Sequence, residues 1–590
     1  MREDTNYNPK RLIIIILTIL NVISGIVLFR SSFLVKKKEP IEPYCPCPYI
    51  VVGYAENLDT IDPLDTWDDA SSNVQRQVIQ GLVQYNLSTH PKYEIMGVLA
   101  TDWRWHGIGA KKISFKLREG VRFHDGEPFD ADDVIWNLDR LTFFCNYTGD
   151  LRDNSTSWLG FPSSLYYFNN GETPIIANYY KNSKYNITIE LNKDFAPFLD
   201  LLTLIPGYIL SPKSTPKYRY LNWINDKLIG TGPFIYDHFL VDSEVRFHRN
   251  DNYWGKPPWI KTLIFDINKD DISRNMDMLA LKVDYLHNKY LQSPLSDMLS
   301  AFNLSSYHTL YQLKEGLCYF FLDFNCGDPT DPRLNVTWRK ALQFTINYTQ
   351  ILEDIYQGYN LIRSLPLPGY NASVSLITQN ITKARLLMQS MGFGYDGPGK
   401  TNPWDTNYPG SDEAKWQSAG FKSLDIYYSI GDWDLSRHSS LHNDKLEELL
   451  KNNFELIGIY FQKIFYLEGY GDYNSCDLWS HGWCSDFIDA YNILGSLFDN
   501  VSIDNFARVN DPYLQSLLQQ ALKETNVYAR NQIYQHIQSY LFDINTNDHE
   551  WKYPHVPLFT STKYIVHNSA LKGICYNVLN ILDCWNWYIE

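Results

Sequence analysis

A multi-domain chain of mixed strands and helices is predicted by three observations. At 590 residues the chain exceeds what one hydrophobic core serves, so two to four domains are expected. Tyr49-Ile50-Val51-Val52-Gly53-Tyr54 reads as a strand. The turn-rich Leu58–Leu64 follows, then a helix from about Ser71 to Val83 with Val74, Val78, Ile79 and Leu82 on one face and Ser71 as N-cap. Further on, Lys112–Leu117 alternates as a strand, and turns stand at Glu119-Gly120 and Asp125-Gly126. A helix starts near Asp130 with acids in its first turn, where the helix dipole favours them.

Charged residues make up 20% and hydrophobic residues 44%, the balance of a chain that folds. A net charge of −15, with no Lys/Arg-rich patch in the folded part, excludes nucleic acid as a partner, because phosphate binding needs a basic face. Aromatic residues reach 15%, which suits a cleft that stacks on its ligand or an aromatic-rich core.

Leu12 to Phe29 is an uncharged run broken only by Thr18, Asn21, Ser24 and Gly25. As a helix it spans about 27 Å, enough to cross a bilayer. No small-x-small cleavage site and no lipobox cysteine follow it, so 12–29 is expected to be an uncleaved anchor rather than a removed signal. Residues 1–11 would then be a short cytoplasmic tail and 30–48 a Lys- and Pro-containing linker. Arg2, Lys10 and Arg11 precede the run, while Arg30, Lys36, Lys37 and Lys38 follow it. That charge count does not favour an external domain, although large domains translocate largely regardless of charge. Nine cysteines, with close pairs at Cys45/Cys47, Cys318/Cys326, Cys476/Cys484 and Cys575/Cys584, include no doubled C-x-x-C for zinc, so disulfides are the more natural reading. Ten N-x-S/T sequons, Asn86, Asn335, Asn347 and Asn380 among them, add support for an extracytoplasmic glycoprotein.

The stretch Gly482-Trp483-Cys484-Ser485-Asp486-Phe487, preceded by Trp479 and His481, places an aromatic, a cysteine and a carboxylate within five residues. One reading makes Trp483 core and Asp486 the cap of a helix beginning at Phe487 or Ile488. The other makes Asp486 the partner of a ligand ammonium, which gains most once a closing cleft excludes water, with Trp483 offering area for stacking. His124-Asp125 invites a metal or acid–base reading, but it sits in a hairpin turn with no third ligand in range. No metal site is expected.

The block Ala100-Thr101-Asp102-Trp103, then Phe115-Lys116-Leu117-Arg118-Glu119-Gly120-Val121-Arg122-Phe123-His124-Asp125-Gly126-Glu127-Pro128-Phe129-Asp130-Ala131-Asp132-Asp133-Val134, resembles the signature of the family 5 extracellular solute-binding proteins of ABC importers. This is the dipeptide- and oligopeptide-binding group. The resemblance continues in order. It runs through Gly230-Thr231-Gly232-Pro233-Phe234, Arg249-Asn250-Asp251-Asn252-Tyr253-Trp254-Gly255, Leu322-Asp323-Phe324-Asn325 with Arg339-Lys340-Ala341-Leu342, Ala384-Arg385-Leu386-Leu387 with Gly392-Phe393, and Ile457-Gly458-Ile459. It covers roughly Tyr49 to Asn577.

The resemblance implies an α/β fold of the periplasmic-binding-protein-like type II class (cluster C), with two hinged lobes and an inserted smaller domain, here preceded by the anchor. Lobe I would comprise 49–88, 210–316 and 558–590, the inserted domain 89–209, and lobe II 317–557. Hinge closure around a ligand follows from that architecture. It further implies Asp486 as the partner of a ligand α-amino group and a Cys318–Cys484 bridge between ligand loop and hinge strand. Cys575–Cys584 is a second expected pair. Trp483, Trp479 and Trp433 become candidate pocket walls. The basic residue that some peptide binders place before the Gly-Trp is absent; Ser480 and His481 stand there, and His481 would partner a ligand carboxylate only if protonated.

The reading is a membrane-tethered, monomeric receptor outside the cell that captures peptides and delivers them to an ABC permease, without cofactor or catalysis. The rivals are the same fold binding oligosaccharides, nickel or haem, and a surface hydrolase using two carboxylates such as Asp486 and Asp489. No phosphate-binding Gly-x-x-x-x-Gly-Lys loop is present.

Overall fold

The computed structural model describes residues 49–145, 165–168, 173–287, 295–313, 316–326, 335–355, 360–361, 374–396, 401–428, 440–465, 477–560 and 563–590. The expected anchor at 12–29 and its linker lie outside them. Among the described residues no helix is long and apolar enough to cross a membrane.

Two large sheets organise the chain. The first has seven strands in the spatial order Phe234–Leu240, Glu244–Arg249, Thr262–Ile267, Tyr49–Tyr54, Tyr285–His287, Lys563–Asn568 and His308–Leu313. Tyr49–Tyr54 runs parallel to both its neighbours, while the outer pairs are antiparallel. The two-residue period is plain in Thr262–Ile267, where Leu263, Phe265 and Ile267 are buried and the residues between them are half-exposed. They join Ile50, Val52, Val245 and Phe247 in one core.

The second sheet has six strands in the order Asn360–Leu361, His555–Thr560, Cys318–Phe324, Leu478–Cys484, Lys422–Tyr428 and Ile459–Phe465. Cys318–Phe324 is central and covered on both faces, which is why it reads as an almost unbroken apolar run. Tyr319 and Phe321 enter one core, Phe320, Leu322 and Phe324 the other.

The chain passes between these sheets twice, between Leu313 and Cys318 and between Thr560 and Lys563. The strands flanking the crossings are neighbours in each sheet, so the crossings lie side by side. His555–Thr560 pairs inside the six-stranded sheet, so the return falls after Thr560 and not, as expected, after Pro557.

A third, four-stranded sheet of Ala100–Trp105, Lys112–Leu117, Asn186–Leu191 and Ile176–Ser183 packs against helix Ala131–Phe144. Asp130 and Asp133 cap that helix reciprocally. The stretch that builds it departs at Gln80–Gly81 and comes back at Tyr208–Ile209, which pair with each other. Arg140 of the helix forms a buried ion pair with Asp62 (Nη1 to Oδ1 3.0 Å), and Asp62 also accepts the amides of Leu64 and Leu221. That one carboxylate fixes the turn-rich segment after the first strand.

Two expectations are corrected. The first helix is Asp69–Val78, not Ser71–Val83, and its cap is Asp68. The Ser71 hydroxyl instead accepts the amides of Asp59 and Thr60, and the chain goes extended from Ile79 into Gln80–Gly81 and Val83–Tyr85. Cys575 and Cys584 are free thiols; Cys575 donates to Asp583, and Cys584 is packed inside the first core. Four of the sequon asparagines, Asn86, Asn335, Asn347 and Asn380, are helix N-caps whose side chains accept backbone amides.

Candidate functional site

Strand Leu478–Cys484 pairs antiparallel with Cys318–Phe324 over seven residues, from Leu478 opposite Phe324 to Cys484 opposite Cys318. A disulfide joins Cys318 to Cys484. Gly482 lies opposite Phe320, and a Cβ there would stand 2.9 Å from the Phe320 ring, so only glycine lets the two strands meet at this register. Trp479 and Trp483, four residues apart, stand on the same face of the strand. Trp479 is buried and stacks on Phe506, with centroids 5.2 Å apart and planes inclined by 12°. Trp483 is half-buried and directs Nε1 to Asn492 Oδ1 at 3.4 Å. His481 takes its place opposite Phe321, its side chain lying outside the described ones, and Trp433 is outside the described residues altogether.

Past Cys484 the chain turns, with the Ser485 amide on the Leu317 carbonyl. Asp486 caps nothing; the next helix begins at Tyr491, and Asp489 accepts the Tyr491 amide. Asp486 accepts from Asn492 Nδ2 at 3.1 Å and gives its own amide to Asn492 Oδ1 at 3.1 Å. Among the described residues no Lys, Arg or His lies within ion-pair distance of its carboxylate. Burial pushes its pKa up to about 6, with the charge of Asp504 adding to the rise and the Asn492 bond opposing it. A half-buried carboxylate without a counter-charge among the described residues gains by receiving a cation, most of all once closure removes its remaining water.

Asp489, three residues on, has the opposite fate. It is ion-paired to Arg530 at 2.7 Å and receives the Tyr534 hydroxyl at 2.7 Å, all three buried. The two loop carboxylates do not form a matched acid–base couple, which removes the basis for the hydrolase reading. His124 and Asp125 are also structural. His124 Nε2 meets the Gly232 carbonyl at 2.9 Å, and burial lowers its pKa to about 4, while Asp125 accepts the Ser211 and Ser214 hydroxyls. His124 clips the hairpin onto Gly230 and Gly232, and Asp125 fastens it to Ser211 and Ser214.

Two groups at this site escape sequence reasoning. The Ser485 hydroxyl, beside Asp486, is buried and finds no hydrogen-bond partner among the described residues. The Ile488 amide donates at 3.0 Å to the hydroxyl of Tyr85, which in turn donates to Asp200 Oδ1 at 2.8 Å. A tyrosine 403 residues away in the chain carries no local signal.

Residues 94–505 match the bacterial extracellular solute-binding proteins, family 5 Middle. The chain belongs to that family, the solute-binding proteins of ABC importers. It is 25% identical over 495 residues to di/tripeptide-binding protein 1 of Pseudomonas aeruginosa (strain UCBPP-PA14), covering 80% of this chain and 81% of that one. It is 24% identical over 487 residues to heme-binding protein A of Haemophilus influenzae, covering 78% and 79%. Among solved structures, HbpA2 from Haemophilus parasuis superposes with a TM-score of 0.72 at 22% identity, over 92% of this chain and all of the other, a likeness of fold. These relatives are solute-binding proteins rather than enzymes, and the family is extracytoplasmic.

Proposed function

We propose that the chain is a peptide receptor: it binds di- or oligopeptides between its two halves, by hinge closure, and hands them to the permease of an ABC importer. The observation that carries this reading is Asp486, half-buried, oriented by Asn492 and without a cation of its own among the described residues. A peptide's free α-ammonium supplies the missing charge. The peptide-binding relatives support the choice of ligand. In this reading Trp479 and Trp483 wall side-chain pockets, with Trp433 and His481 as further candidates, and the receptor works as a monomer. The adjoining crossings are the hinge, lobe I holds the seven-stranded sheet, and lobe II the six-stranded one. The apolar run at 12–29 tethers the whole to the membrane with its folded part outside.

Calorimetric titration with a dipeptide and its N-acetylated counterpart tests the assignment. The free amine is expected to bind and the acetylated form to bind far more weakly. Asp486→Ala is expected to lose about 2–5 kcal/mol, the cost of truncating one partner of a buried charge pair. Equal binding of the two peptides overturns it.

A further inference from the structure

The loop that bears Asp486 is held from the other half of the molecule. Tyr85 and Asp200 precede the first crossing between the sheets, whereas Ile488 follows the strand Leu478–Cys484 of the six-stranded sheet. We propose that Tyr85, aimed by Asp200, is the clasp through which the first half fastens the ligand loop on closure, its hydroxyl accepting the Ile488 amide only when the halves meet. The inference rests on the closure put forward above and assigns to Tyr85 and Asp200 a positioning role in it.

Three observations carry it. The Tyr85 hydroxyl has one lone-pair task and one proton, and both are used. It accepts across the junction from Ile488 and donates within its own half to Asp200. Tyr85, Asp200 and Ile488 are all more than nine-tenths buried, so parting the halves would exchange these bonds for water. A second backbone bond crosses the same junction nearby, from the Ala196 amide to the Leu522 carbonyl.

The clasp is also charged. Asp200 faces the Tyr85 hydroxyl, Asp489 and Arg530. Arg530 is engaged with Asp489, which also holds the Tyr534 hydroxyl, while Arg76 reaches the Thr203 carbonyl three residues beyond Asp200. Arg530 is thus paired with Asp489, and its charge also reaches Asp200. Burial first and Asp489 second raise Asp200 to about 7, against the lowering pull of Arg530. With the halves apart, Asp200 leaves Asp489 and regains water, so its pKa falls toward the ordinary carboxylate range. Closure therefore takes up a proton. It is strongest below that window and weakens as pH rises through about 7.

Hydrogen exchange of the full chain, free of ligand and expressed as protection factors at pH 6 and pH 8, tests this without reference to any peptide. In the wild-type chain the Ile488 and Ala196 amides are expected to lose protection together, by up to about tenfold, on going to pH 8. Tyr85→Phe, which keeps the ring and removes the acceptor, is expected to lose protection at both amides at pH 6. Asp200→Asn, which keeps an acceptor for Tyr85 but cannot ionise, is expected to hold protection at both pH values. Unchanged protection at Ile488 in Tyr85→Phe overturns the clasp. Loss at Ile488 alone, with Ala196 unmoved, also overturns it, since the bond would then be local. If Tyr85→Phe fails to fold, the pH response of Asp200→Asn decides: a response equal to wild type refutes the proposal. The peptide titrations fail or succeed separately, on Asp486.

Discussion

Asn492 holds Asp486 at two points, its amide oxygen taking the Asp486 backbone N–H and its amide nitrogen giving to Oδ2, each at 3.1 Å. One side chain thus fixes both the backbone and the carboxylate rotamer of the proposed ligand residue. Asn492→Leu should free both and leave the Asp486 amide unsatisfied. Affinity for an amine-bearing peptide is expected to fall by about 1–3 kcal/mol in a calorimetric titration. An affinity equal to wild type would show that Asp486 needs no such support.

Peptide binding should depend on pH through Asp486. In the free protein its pKa stands at about 6, and a bound ammonium would pull it down. Binding therefore expels a proton below pH 6. Affinity is flat above that value and falls by up to tenfold per pH unit beneath it, until the pKa of the complex is reached. Titrations in buffers of differing ionisation enthalpy would register the released proton, and Asp486→Asn should abolish the slope.

The Cys318–Cys484 bridge closes a loop of 166 residues in sequence. Constraining so long a segment in the unfolded chain contributes on the order of 2–5 kcal/mol. Replacing both cysteines by serine should lower stability to chemical denaturation by that amount, and reductant should reproduce the loss in the wild-type chain.

Arg140→Met leaves Asp62 buried without its guanidinium partner, although the Leu64 and Leu221 amides still reach it. The expected loss is about 3–5 kcal/mol, read from the denaturant midpoint at pH 7.

What the sequence discloses follows how locally each feature is determined. Alternation in Lys112–Leu117 and acids at the start of Ala131–Phe144 depend on neighbours in the chain, and both elements form where they are expected. The end of the first helix is not local. Val74 and Val78 satisfy a helical period, yet Ile79 and Leu82 are buried by extended chain, because Gly230 and Gly232 pack against the Val78 carbonyl from far along the sequence. Asp486 and Asp489 look alike on paper. Arg530 and Tyr534, some forty positions later, neutralise one and leave the other. The Tyr85 contact has no trace in either segment alone.

The Cys318–Cys484 bridge stands beside four free thiols among the described residues, and their chemistry bears on it. Cys145 and Cys575 have their thiol pKa values pushed up to about 12 by burial, and Cys326 and Cys584 are raised by the same cause. Thiolate is the attacking species in exchange, so these four are poor nucleophiles once the chain has folded. Native pairing at Cys318 and Cys484 is thus protected from exchange with these four sulfurs in an oxidising compartment by how thoroughly they are kept protonated.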